Sequence, residues 1–80
     1  MIETYISKIL FILSKSDTAL GEDDFKEYFD IFRVKWDVSI LRRAIDYLYT
    51  HNYINFVEVF GEKRWFLTKR GERLVKRLER

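Results

Sequence analysis

The chain has no cysteine and no proline, only three glycines, and a single histidine, His51. Without cysteine there is neither a disulfide staple nor a thiolate metal site, and one histidine cannot build a zinc centre alone. No metal or cofactor is therefore expected. The longest apolar run, Ile9 to Leu13, is far short of the ~20 residues that span a bilayer. The start, Met1-Ile2-Glu3, lacks the basic region of a signal peptide. These absences predict cytoplasmic residence with no membrane partner. There is no phosphate-cradling glycine loop, no His-Glu-x-x-His and no nucleophile elbow, so no enzyme is expected. Nor does any feature predict a small-molecule ligand.

What is present is aromatic. Eighty residues form one domain (1–80), and a chain this short buries only about 60% of its unfolded surface. Seven Phe, five Tyr and two Trp compensate, each able to bury roughly 150–250 Å². Charge is unevenly spread. Residues 1–37 carry five basic against eight acidic groups, whereas residues 38–80 carry ten against five. An acidic half and a basic half suggest a face suited to a polyanion.

Ile2, Ile6, Ile9 and Leu13 recur at helical spacing and predict a helix over about 2–15. Ser14 to Leu20 reads as a polar connection. Glu22, Asp23 and Asp24 open a second helix (about 22–32), where acids complement the positive end of the helix dipole. That role and a solvated face account for these acids, with Glu27 and Asp30, better than a metal or nuclease site does. Asp37 is a good N-cap for a third helix with a buried stripe of Leu41, Ala44, Ile45 and Leu48. Its end is expected near His51-Asn52, with Asn52 as a left-handed cap.

Ile54 to Phe60, rich in β-branched and aromatic residues, and Lys63 to Leu67 predict a hairpin turning at Gly61-Glu62. Phe56 would then face Leu67, and Val57 would face Phe66. Both hairpin faces would be apolar. Thr68 caps a last helix, about 69–79, with an apolar edge of Leu74, Val75 and Leu78 among Lys69, Arg70, Arg73, Lys76, Arg77 and Arg80. The fold class is α+β, mostly helical.

The ordered segments Val38 to Leu48, Asn52-Tyr53-Ile54 and Leu67-Thr68-Lys69-Arg70-Gly71 resemble the winged helix-turn-helix family, particularly MarR-type and related small prokaryotic regulators. The resemblance implies a three-helix core, a β-hairpin wing and a C-terminal helix. It also implies a recognition helix at 38–50 in the major groove and a wing, 54–67, near the minor groove or backbone. Asn52 stands where the family usually has Gly, and the connection Ile31 to Asp37 is longer than usual.

On that reading the function is sequence-specific double-stranded DNA binding, as a transcriptional regulator. Arg42 and Arg43 match guanine O6/N7 or phosphate. Ser39, Ile40 and Tyr47 share their helix, Lys63 and Arg64 belong to the hairpin, and Lys69 and Arg70 follow it. The solvated-face reading suits the rest of the last helix better. Trp36, Tyr53 and Trp65 are read as core packing ahead of base stacking, and His51 as a stabiliser of its helix terminus. Surplus apolar residues (Leu10, Phe11, Val57, Val59, Phe66) predict a homodimer. The alternative is a winged helix that docks a protein partner through its apolar hairpin. The DNA reading needs residues 38–50 to stand out from the body with their guanidinium side outward, and it is lost if Arg42 and Arg43 are folded under neighbouring chain or locked into internal ion pairs.

Overall fold

A computed structural model describes residues 1–79; Arg80 lies outside the described residues. The elements are α1 (Ile2–Lys15), α2 (Glu22–Ile31), α3 (Val38–Thr50), β1 (Ile54–Val59), β2 (Glu62–Leu67) and α4 (Lys69–Leu78). Each helix lies within a residue of its expected bounds because its signals are local. Asp37 accepts from the backbone amides of Ser39 (3.0 Å) and Ile40 (3.2 Å), capping α3. Thr68 Oγ1 accepts from Gly71 N–H at 3.1 Å, capping α4. Asn52 takes the left-handed conformation (φ 64°), and Tyr53 N–H folds back onto Leu48 C=O. Arg33 ends α2 in the same way at φ 58°.

Leu41, Ala44 and Leu48 of α3 are wholly buried with Ile9 of α1 and with Phe25 and Phe29 of α2. Tyr5 belongs to this core and does more than fill it. Its hydroxyl donates to Lys35 C=O and accepts from Asp37 N–H at 2.8 Å, while its ring meets Phe29 edge-on. The long connection between α2 and α3 is thereby pinned to α1, which sets where α3 begins.

Three expectations need correction. The hairpin turns at Phe60-Gly61, both at positive φ (52° and 80°), so the register shifts by two residues. Phe56 faces Trp65, and Val57 faces Arg64. This register sets Glu58 opposite Lys63 and Ile54 opposite Leu67. The expected one would have put Glu58 against Trp65 and left Ile54 unpaired. Leu20, assigned to a polar connection, is buried and forms an antiparallel bridge with Trp65, exchanging hydrogen bonds of 2.9 and 2.8 Å. Leu10 is buried and Leu78 exposed, reversing their assigned faces. The two-faced hairpin stands: Val57, Val59 and Phe66 are exposed opposite Ile54, Phe56, Trp65 and Leu67.

Candidate nucleic-acid interface

Helical periodicity places Ser39, Arg43, Asp46 and Thr50, spaced 4, 3 and 4 apart, along the crest of α3 opposite its buried stripe. All four are exposed. Tyr47 and His51 occupy one flank, their rings stacked at 4.1 Å, and His51 Nδ1 lies 2.9 Å from Tyr47 C=O at the helix end. Ile40 is half-buried on the same flank and packs against the core. Arg42 and Tyr49 occupy the other flank, facing the hairpin across a cleft of about 630 Å³. Tyr49, Phe56 and Trp65 give that cleft an aromatic wall, with ring centroids 5.1–5.7 Å apart. Glu22, Asp23, Asp46 and Glu62 also line it, against Arg42 and Lys63, so the cleft itself is not basic.

The predicted cations fall into two groups. Arg43, Lys63 and Lys69 are exposed and make no ion pair among the described residues. Lys63 Nζ lies 4.8 Å from the Phe56 ring centroid, a contact an exposed lysine gives up cheaply. The other three are engaged. Arg42 donates from Nε (2.8 Å) and Nη2 (3.2 Å) to the two carboxylate oxygens of Glu22. That hydrogen bonding, followed by the charge of Glu22, raises the Arg42 pKa above its ordinary value. Arg64 pairs with Asp24 (3.0 Å) and Glu62 (3.4 Å). Arg70 donates to His51 C=O at 3.0 Å and lies over the Tyr53 ring.

Of the two arginines, Arg42 is in an ion pair and Arg43 is unpaired among the described residues, so they are not both locked away. Arg42 is on the surface but held. Arg64 sits away from the hairpin tip because of the register shift, and with Asp24 it ties β2 to the start of α2. Sequence reasoning missed Glu22 and Thr50 as members of this surface. The periodicity contained Thr50; no local signal linked Glu22 to a residue twenty positions away.

No family model matches the chain, and no curated protein sequence matches it significantly. It is similar in structure to a PadR-like transcription factor from Bacteroides fragilis, solved by X-ray crystallography. The TM-score is 0.83 at 18% identity, over 98% of this chain and 79% of that one. The fold is a winged helix. The likeness holds at that level and not at the level of the MarR type. In winged-helix terms β1–β2 is the wing, α3 the third helix of the core, and the Leu20–Trp65 bridge a one-residue third strand. No helix among the described residues is long and apolar enough to cross a membrane.

Proposed function

We propose that this winged helix binds double-stranded DNA as a cytoplasmic transcriptional regulator, with α3 in the major groove and the wing on the flanking backbone. One observation carries the reading: the outward crest of α3 bears hydrogen-bonding side chains, with Arg43 unpaired among the described residues. On this docking Arg43 and Lys69 meet phosphate, Lys63 meets phosphate from the wing, and Ser39, Tyr47 and Arg42 lie within reach of base edges. Ile40 offers apolar contact to a thymine methyl, while Arg64 and Arg70 brace the surface from behind. Asp46 on the crest repels phosphate but can accept from cytosine N4.

The protein acts as a homodimer on paired half-sites about one helical turn apart. Support comes from apolar side chains left exposed on a small body, Phe11, Val57, Val59 and Phe66. Sedimentation at tens of micromolar tests this: a dimer is expected, and monomer alone would overturn it.

Mobility shifts on duplex DNA at low salt test the binding. Arg42→Ala is expected to weaken the preferred sequence about tenfold, and Arg43→Ala and Lys63→Ala to weaken all sequences alike. No shift on any duplex rejects the reading. A second reading has one observation in its favour: Phe60 at the wing tip is fully exposed, beside Val57 and Val59. If the hairpin docks a protein instead, capture of that partner survives high salt and is lost with Phe60→Ser.

A further inference from the structure

Arg42 and Glu22 are joined in a particular way. A guanidinium presents five N–H groups in a rigid plane. Glu22 takes the side-on edge, accepting from Nε and Nη2. The end-on edge, one N–H from Nη1 and one from Nη2, stays open, and the Arg42 side chain remains 66% exposed. That open edge is the donor pair that matches O6 and N7 of guanine. The carboxylate comes from the first residue of α2, and this helix start is itself fixed. Asp24 accepts from Gly21 N–H at 2.9 Å and from Arg64 at 3.0 Å, and Leu20 is bridged to Trp65. Arg42 is therefore buttressed by a rigid element, whereas Arg43 has no such brace.

We propose that Glu22 is a positioning residue: it holds Arg42 with its end-on edge aimed out of the cleft between α3 and the wing, so that Arg42 reads one guanine while Arg43 serves the backbone. The inference rests on the duplex-DNA reading above and adds the division of labour between two adjacent arginines. Bracing removes rotamer freedom before DNA arrives, and it fixes the plane in which both hydrogen bonds must form. A carboxylate beside the groove also repels phosphate, so the brace gains discrimination at the expense of general affinity.

The test is selection from a randomised duplex pool with the wild-type protein, Glu22→Gln and Arg42→Ala, after thermal melts confirm that all three fold. Wild type is expected to enrich a motif containing guanine. Arg42→Ala loses the preference for one guanine, which a bidentate contact enforces by roughly 5- to 150-fold. Glu22→Gln is expected to lose most of the preference at that same position and no other, while holding or raising affinity for a scrambled duplex. A Glu22→Gln motif identical to the wild type's overturns the proposal. So does an equal gain on every sequence, which would make Glu22 a decoy for Arg42, or an Arg42→Ala motif that keeps every position. If wild type enriches no duplex at all, the DNA reading falls and takes this inference with it.

Discussion

Phe60 occupies the first central position of the hairpin turn at φ 52°, where a bulky side chain is strained, and its ring gains nothing in return because it is fully exposed. Phe60→Asn, which suits a turn with Gly61 next, is expected to stabilise the protein by about 1 kcal/mol. In a domain of this size that raises the melting temperature by about 4–8 °C, read by calorimetry. Gly71 is the opposite case. A Cβ there would sit 2.0 Å from the backbone oxygen of Tyr53, which cannot yield as a side chain can. Gly71→Ala is expected to destabilise by about 1–3 kcal/mol, measured by urea denaturation, and an unchanged midpoint would contradict the packing described. Asp37 adds a pH dependence. Hydrogen bonds, first from the Ile40 amide and then from the Ser39 side chain, hold its carboxyl below the ordinary 3.8. A depressed folded pKa means that the cap is fully effective above about pH 4 and is lost as pH falls through the lower, folded value. Protection of the Ser39 and Ile40 amides, measured against their intrinsic exchange rates, is expected to fall there, and not in Asp37→Asn.

Among the elements, α3 depends most on a contact with a distant residue. The Tyr5 hydroxyl serves Lys35 C=O and Asp37 N–H, which have no other partner in the loop. Tyr5→Phe keeps the ring against Phe29 but orphans both groups. The expected cost is about 1–3 kcal/mol, with weaker duplex binding at temperatures where the protein stays folded, because α3 loses its anchor. This contact also marks where the sequence stops being legible. Helix bounds, the caps at Asp37 and Thr68 and the left-handed Asn52 are written within a few residues of where they act. The stripe that buries Leu41 and Leu48 likewise exposes Ser39 and Arg43. The Tyr5 anchor, the Leu20–Trp65 bridge and the Glu22–Arg42 pair join positions twenty or more apart, so no local pattern contains them. The hairpin register failed for a related reason. A Gly-Glu turn is locally better than Phe-Gly, yet Phe56 against Trp65 and Glu58 against Lys63 outweigh the strain at Phe60.

At the scale of the molecule, charge is sorted by element more than by face. Acids gather at the start of α2, where Glu22 and Asp24 each hold an arginine of the basic half, so the formal excess of residues 38–80 overstates the free positive surface. The residue set read from sequence therefore divides: Arg43, Lys63 and Lys69 are exposed and unpaired among the described residues, Arg64 and Arg70 are held by internal contacts, and Arg42 is paired along one edge only. Three unpaired cations of that set in each subunit of the proposed dimer give a quantitative expectation. The most direct test of the proposed duplex recognition by α3 and the wing is fluorescence anisotropy on duplex DNA from 50 to 200 mM salt. A dimer neutralising about six phosphates should show log K falling against log salt with a slope of about −5, reduced by about 1 for each lysine removed from a monomer–DNA contact. Absence of binding at 50 mM salt, or binding with a slope near zero, would contradict the account.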